Sequence, residues 1–232
     1  MFVPIHDENS LKSIPFQYVT VSLILVNVAV FLLSAVGGDM VAVASFGIIP
    51  KELFDTSLLP IPIEDQVSVR PTQLTLLTYM FFHGDVLHLA GNMLFLWVFG
   101  DNVEDAMGHL KFLAFYLMCG VFAGYMHAWI EPDSAIPLIG ASGAVAGVIA
   151  AYLMLHPRVR VWVLAFKAIP LRISALIALG AWVIMQFVMV LLPQMGPVAW
   201  WAHVGGLIAG AVLIVVMRRP GVPLFDRHLK VA

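Results

Sequence analysis

The stretch Gly140-Ala141-Ser142-Gly143-Ala144-Val145-Ala146-Gly147 places one hydroxyl among side chains that are too small to cover it. Small residues at this density in an apolar segment let the backbone of a neighbouring helix come close. A serine hydroxyl pressed against such a neighbour in apolar surroundings needs a hydrogen-bond partner. That partner is either a carbonyl of its own helix, as for a serine that only packs, or a polar group elsewhere in the sequence.

The composition indicates a membrane protein. The chain has 232 residues, of which 61% are hydrophobic and 11% charged, with a mean hydropathy of +0.96. These values exclude a water-soluble globular domain of this length. A membrane span needs about 20 mostly apolar residues. Six stretches qualify, namely residues 17–37, 86–106, 110–130, 137–155, 171–192 and 198–217.

The basic residues are distributed unevenly around these spans. Ten of the twelve Lys and Arg residues fall on one side, and only Lys51 and Arg70 fall on the other. The positive-inside rule then places both termini in the cytoplasm and the loops 38–85, 131–136 and 193–197 outside. We expect one membrane domain, residues 17–217, between a short cytoplasmic N-terminus, residues 1–16, and a short cytoplasmic tail, residues 218–232.

The start of the chain lacks the pattern of a cleavable signal peptide, which makes the first span a retained signal anchor. No targeting extension is visible, and this favours a bacterial inner membrane. Cys119 is the only cysteine, so no internal disulfide is expected.

The two longest loops have different patterns. The first outer loop, residues 38–85, is rich in Ile, Leu and Phe and poor in charges, which argues against disorder. We expect it to be folded and to lie partly in the outer interface. The inner loop, residues 156–172, alternates basic and apolar residues. This pattern favours a segment that lies in the cytoplasmic interface.

Three predicted spans run from outside to inside, and each carries an unusual polar group within its first one or two turns. These groups are His88 and Asn92 in the second span, Ser142 in the fourth and His203 in the sixth. They therefore lie at similar depth, in the outer third of the bilayer. Because polar residues inside a membrane are costly, four at one depth indicate a functional site.

Glycines give two of these spans a face for close packing. Gly143 and Gly147 are four residues apart in the fourth span, and Gly206 and Gly210 have the same spacing in the sixth. This small-xxx-small spacing brings helix backbones together. The approach permits a serine–histidine hydrogen bond of about 2.6–3.2 Å.

The residue types suggest a nucleophile with its base. Ser142 would be the nucleophile and His203 the general base, while His88 and Asn92 would donate hydrogen bonds to an oxyanion. No carboxylate lies at this depth in the three spans, so His203 has no evident third member to orient it. Asp85 is the nearest outer-side acid and precedes the second span. We therefore predict a dyad that lines a polar cavity open to the outside.

Four motifs carry these residues in order: His83-Gly-Asp-Val-Leu-His88-Leu-Ala-Gly-Asn92, Phe99-Gly100 followed by Asn102-Val-Glu104, Gly140-Ala-Ser142-Gly143, and Ala202-His203-Val-Gly-Gly206-Leu-Ile-Ala-Gly210. Together they resemble the rhomboid family of intramembrane serine proteases. The resemblance covers about residues 17 to 217. Any one motif is weak, because Gly-x-Ser-Gly is common as packing, but four in the right order, spacing and leaflet are specific.

The resemblance implies an all-α bundle of six transmembrane helices with a long outer first loop. It implies Ser142 as nucleophile, His203 as base, and His88 and Asn92 at the oxyanion site, helped by the Ser142 backbone amide. Substrates would be transmembrane segments of other, usually single-pass, membrane proteins, cut near the outer face of the lipid bilayer. The resemblance implies no cofactor, metal or nucleic acid. The fifth span and the loop after it match the region proposed to gate substrate access.

The resemblance also gives structural roles near the site to His83, Gly140, Gly143, Gly206 and Gly210. Two departures from the family pattern stand out. The Trp-Arg pair that many members carry in the first loop is missing, and Arg70-Pro71-Thr-Gln73 stands near its place. Ala146 occupies the position where some members have a tyrosine that packs on the catalytic histidine.

Other functions fit the sequence less well. A metal site of His83, His88 and His203 would lack a cysteine or carboxylate at matching depth. A transporter would more often show internal repeats or charges in mid-membrane. The competing function is a catalytically inactive relative that binds and escorts membrane clients. Because Ser142, His203 and Asn92 are all present, we favour the enzyme.

Overall fold

The computed structural model describes residues 2–36, 45–54, 72–165, 169–192 and 198–226. The chain is mostly helical within these ranges. The elements are β1 (Phe2–Asp7), α1 (Tyr18–Val36), α2 (Pro50–Leu53), α3 (Thr75–Thr78), α4 (Val86–Met107), α5 (His109–Ile130), α6 (Ser142–Leu155), β2 (Arg160–Ala165), β3 (Ile169–Ser174), α7 (Ala175–Val190) and α8 (Trp200–Met217). Two 3₁₀ turns, Thr72–Leu74 and Tyr79–Phe81, stand immediately before and after α3.

Each stretch predicted as a span contains one helix. Three of them, α4, α5 and α8, are long and apolar enough to cross a membrane by length and composition. The apolar helical stretches Tyr18–Ser34, Ser142–Leu155 and Ala175–Val190 are shorter. Large apolar side chains point outward from several helices, as Leu33, Leu87, Leu110 and Val216 do. This apolar exterior suits a helical protein whose solvent is lipid.

Helix α6 lies at the centre of the bundle. All its residues except Ser142, Leu153 and Met154 are buried, and its most extensive packing is against α8. A Cβ atom added at Gly206 would collide with the carbonyl oxygen of Gly143, and one added at Gly210 would collide with Gly147. These glycines therefore lie at the contact between α6 and α8, where the two backbones touch.

The helix of the predicted fourth span starts later than the apolar stretch does. Residues 136–141 instead form non-helical backbone that pairs with the first outer loop. Leu138 and Ile48 form an isolated β-bridge, and the amide of Gly140 donates to the backbone carbonyl oxygen of Tyr79 at 2.9 Å. Gly140 has a φ of +116°, a conformation that L side chains rarely adopt. The helix is therefore only 14 residues long, and Ser142 is its first residue.

The described parts of the first outer loop, residues 45–54 and 72–85, are folded. Ile48 is fully buried, and the hydroxyl of Tyr79 donates to the carbonyl of Gly120 in α5 at 2.7 Å. The departure from the family pattern noted at Arg70 and Pro71 lies outside the described residues.

The prediction of an all-α protein is wrong at the end of the bundle opposite Ser142. The predicted inner loop and the first residues of the predicted fifth span form the antiparallel strands β2 and β3, so α7 starts later than expected, at Ala175. Strand β1 pairs antiparallel with β2, giving the strand order β1-β2-β3. Val161 and Val163 in β2 are buried, whereas Arg160 and Trp162 are exposed. This is the two-residue period of a half-buried strand, so the prediction of a segment that lies in the cytoplasmic interface is replaced by a strand of a small sheet. The register shifts between Pro4 and His6.

Two buried carboxylates at the end of α4 hold the N-terminal segment. Glu104 is fully buried and accepts hydrogen bonds from the amides of Val19 and Thr20 and from the Thr20 hydroxyl, at 2.7–3.0 Å. Asp105 accepts from the amides of residues 12–14. The first amides of a helix lack partners within it, so Glu104 satisfies the start of α1. The sequence assigned no specific partner to either acid.

Candidate active site

A serine and a histidine meet where α6 and α8 pack together. Ser142 is the first residue of α6, and His203 is the fourth residue of α8. The Ser142 Oγ lies 2.9 Å from the Nε2 of His203, which is hydrogen-bond distance. His203 is buried and Ser142 partly exposed. Gly143 follows Ser142 directly in α6, and Gly206 lies three residues after His203 in α8. The contact between these two glycines therefore sets the helix separation that the Ser142–His203 bond requires.

The other ring nitrogen of His203 also has a partner. Its Nδ1 lies 2.7 Å from the Oε1 of Gln186 in α7, and Gln186 is fully buried. No carboxylate on the second, fourth or sixth span was expected to orient His203, and the structure supplies an amide from the fifth span instead. A single amide in the middle of the apolar stretch 171–192 was the available signal.

Two tryptophans flank the histidine ring. The ring centroid of Trp182 lies 5.9 Å from that of His203, and the centroid of Trp200 lies 5.8 Å away in an edge-on arrangement. Ala146 is buried and too small to cover the imidazole. Trp182 in α7 and Trp200 at the start of α8, a residue expected in the outer interface, therefore supply the aromatic packing on His203.

A profile of the Rhomboid domain matches residues 71–220, which is well over half of the chain. The chain belongs to the rhomboid family. This match includes Ser142, Gln186 and His203, together with every helix from α3 to α8. It confirms the resemblance that the four motifs indicated.

Curated rhomboid relatives share moderate identity with this chain. The Saccharomyces cerevisiae protein named "Rhomboid protein 1, mitochondrial" is 25% identical over 145 residues, covering 61% of this chain and 41% of its own. The Arabidopsis thaliana "RHOMBOID-like protein 12, mitochondrial" is 27% identical over 162 residues, covering 62% and 46%. "Rhomboid-like protein 11, chloroplastic", also from Arabidopsis thaliana, is 36% identical over 80 residues, covering 34% and 28%. The chain thus spans less than half the length of these relatives.

The start of α6 offers backbone donors beside Ser142. The first amides of a helix have no carbonyl within the same helix to bond to, and they lie at the positive end of the helix dipole. The amides of residues 142–144 are the first amides of α6. The amide before them, that of Ala141, lies 3.4 Å from the Nε2 of His83. Burial lowers the pKa of His83 to about 4, so at neutral pH its ring is uncharged and can accept this bond.

The two predicted oxyanion side chains lie at the start of α4. The His88 ring packs against Gly140, where an added Cβ atom would meet it, and its centroid is 5.0 Å from that of His83. Asn92 is buried and donates through Nδ2 to the carbonyl of His88 at 3.1 Å. Among the hydrogen bonds of the described residues, neither side chain bonds to Ser142. The structure thus places His88 against the segment that leads into the serine.

The nearest outer-side acid does not orient the histidine. Asp85 is the N-cap of α4, and its carboxylate accepts the amide hydrogen of His88 at 2.8 Å. Across the residues that the structure describes, no three His, Cys, Asp or Glu side chains converge as a metal site.

Proposed function

We propose that this rhomboid protein is an intramembrane serine endopeptidase that cleaves transmembrane segments of other membrane proteins. The observation that carries the proposal is the 2.9 Å contact between the Ser142 Oγ and the His203 Nε2. A serine hydroxyl is a weak nucleophile until an adjacent base takes its proton. The contact has the geometry that this activation requires.

The proposed reaction has two halves. In the first, Ser142 Oγ attacks the carbonyl carbon of the scissile bond while His203 Nε2 takes the hydroxyl proton. The tetrahedral intermediate collapses, the C–N bond breaks, and His203 gives the proton to the leaving nitrogen, leaving an ester on Ser142. In the second, a water attacks the ester carbon as His203 takes its proton, and that proton returns to Ser142 Oγ as the acid product leaves.

Stabilisation of the oxyanion is assigned to the start of α6 and to α4. The Ser142 amide has no acceptor within its own helix and sits at the positive end of the helix dipole. His88 and Asn92 are the side-chain donors proposed to join it when a substrate carbonyl is present. Catalytic hydrogen bonds often tighten only with the substrate in place, which is consistent with the Asn92 amide now bonding to its own helix.

The proposed topology has six membrane crossings, with both termini cytoplasmic and the site open to the outer face. It follows from the distribution of basic residues and from the six helices within the six apolar stretches. The short α6 fits a site set below the outer surface, since 14 residues rise only about 21 Å. Proposed partners are single-pass substrates and the surrounding lipid. The bacterial inner membrane stays a prediction, while the named relatives are mitochondrial and chloroplastic.

Proteolysis in liposomes tests the proposal. The purified protein would be reconstituted with a panel of single-pass model substrates that have small residues near the outer end of their transmembrane segment. We expect cleavage within or next to the segment, found by mass spectrometry of the products, and none with Ser142→Ala. A folded wild-type protein that binds these substrates without cleaving any of them would overturn the proposal and favour the client-binding alternative.

A further inference from the structure

Gln186 places an amide in the middle of an apolar helix. Its side chain is fully buried in α7, where both ends of an amide must be hydrogen-bonded to avoid a large desolvation cost. The Nε2 group donates to the carbonyl oxygen of Trp182, one turn earlier, at 2.9 Å. The Oε1 atom lies 2.7 Å from the Nδ1 of His203. Both ends of the amide are therefore used.

These two contacts fix where the proton of the imidazole resides. The carbonyl oxygen of Trp182 can only accept, so the end of the amide that faces it must be the NH₂ group. The Oε1 of Gln186 then faces His203, and because this oxygen can only accept, the Nδ1 must carry a hydrogen. A neutral imidazole with its proton on Nδ1 has its free lone pair on Nε2. That is the atom 2.9 Å from the Ser142 hydroxyl.

We infer that Gln186 is a positioning residue that holds His203 in the Nδ1–H tautomer, so that Nε2 serves as the base toward Ser142. This inference rests on the proposed serine protease function. In the other tautomer Nε2 would carry the hydrogen and could not take the serine proton. An amide achieves this orientation without burying a negative charge in the bundle, which would be expensive.

The ring contacts strengthen the same assignment. Trp182 supplies the carbonyl that orients Gln186, and its indole ring also packs against His203. Trp200 packs edge-on against the same imidazole. With two indole rings packed against it and both nitrogens bonded, the His203 ring is held in the orientation that satisfies these contacts.

The first test compares three variants in kinetics. Gln186→Met keeps the length of the side chain but removes the amide. Gln186→Glu keeps an oxygen acceptor and, as the neutral acid that burial favours, an O–H donor toward the Trp182 carbonyl. Asn27→Leu is the matched control, because Asn27 is a buried amide in α1 whose Nδ2 bonds to the carbonyl of Leu23 at 2.8 Å in the same way. Loss of an outer partner of a metal-ligating histidine typically costs about 10–100-fold, and we take the same scale for the partner of His203. We expect that loss in kcat for Gln186→Met, with KM nearly unchanged, and near wild-type kcat for the other two.

The second test observes the tautomer directly. In protein labelled with ¹⁵N-histidine, the His203 resonances are assigned by their loss in His203→Ala. The wild type should show a protonated Nδ1 and an unprotonated Nε2, and Gln186→Met should show a mixture of tautomers. A wild-type His203 protonated on Nε2 would overturn the inference, even if Gln186→Met did not fold. Wild-type kcat in folded Gln186→Met would overturn it as well.

The two tests separate this inference from the proposed function. A protein without protease activity whose His203 still depends on Gln186 for its tautomer would contradict the protease and leave the hydrogen-bond chain intact. An active protease with an unchanged tautomer in Gln186→Met would contradict only the role of Gln186.

Discussion

The hydroxyl of Tyr152 donates a 2.5 Å hydrogen bond to the carboxylate of Asp7. Tyr152 lies in α6, ten residues after Ser142, and Asp7 ends β1. This hydrogen bond connects strand β1 to helix α6, which carries Ser142. Asp7 is 5% exposed, so this bond joins two buried groups.

The Asp7 contact predicts a pH-dependent stability. Burial is the main cause that raises the pKa of Asp7 to about 6, opposed by the Tyr152 hydrogen bond and aided by Asp101. A raised pKa means that the folded state binds the proton more tightly than the unfolded chain, whose value is about 3.9. The stabilisation of the folded state by protonated Asp7 is therefore fully present below about pH 4 and is lost as pH rises through about 6. Asp7→Asn removes this titration. The Tm of the variant should therefore rise relative to the wild-type Tm as pH increases from 4 to 7.

Thermal unfolding in detergent, followed by tryptophan fluorescence across this pH range, measures the difference. Glu8→Gln is a contrasting control, because the hydrogen bond from Arg172 lowers the pKa of Glu8, so the Tm of this variant should not rise relative to wild type as pH increases. Burial would not govern the titration of Asp7 if the Tm difference between Asp7→Asn and wild type were the same at both ends of the range.

The backbone contact between α6 and α8 predicts an intolerance to one methyl group. Gly206→Ala would press its Cβ atom into the carbonyl of Gly143, and backbone cannot yield as a flexible side chain can. Overpacking of this kind typically costs about 1–3 kcal/mol, and we expect Gly206→Ala to be destabilised by an amount in that range. Because the same contact sets the spacing of Ser142 and His203, activity should fall together with Tm.

Gly180→Ala is the matched control for this effect. Gly180 is also a helical glycine, in α7, and an added Cβ atom there meets nothing within 4 Å. Its replacement should leave Tm unchanged or raise it slightly, since alanine favours helix by about 1 kcal/mol. Equal tolerance of the two alanines would show that the α6–α8 contact is looser than the structure has it.

Removal of Asn92 should slow the proposed reaction less than removal of Ser142. Loss of one oxyanion donor typically costs about 10²–10³ in rate, and the amide of Ser142 and the ring of His88 remain to share the charge. Asn92→Ala should therefore reduce kcat by up to about 10²-fold with little change in KM, measured in the liposome assay. A change confined to KM would assign Asn92 to substrate binding instead.

Much of the fold followed from local patterns. Helix positions came from the apolar stretches, and the pairing of Ser142 with His203 came from their equal depth and the glycines beside them. The start of α6 could not be placed, because residues 136–141 pair with Ile48 and Tyr79, which are distant in sequence. An apolar stretch gives the extent of a hydrophobic segment without saying which part of it is helical.

The remaining differences have the same origin in distant contacts. Strand β1 is six residues long, and its partner β2 lies more than 150 residues away, so its pairing leaves no local pattern. The alternation in residues 160–165 was visible but fits an interfacial segment equally well without that partner. Gln186 was visible as a lone amide, yet its role depends on His203, which is on a different helix.

Labelling with a fluorophosphonate probe tests the activated serine most directly, because it needs no knowledge of the natural substrate. The detergent-purified wild type would be compared with Ser142→Ala and His203→Ala, all shown to be folded by their Tm. We expect the wild type to be labelled at Ser142 and neither variant to react. Full labelling of His203→Ala, or a folded wild type that neither reacts nor cleaves a transmembrane substrate, would contradict a serine activated by His203.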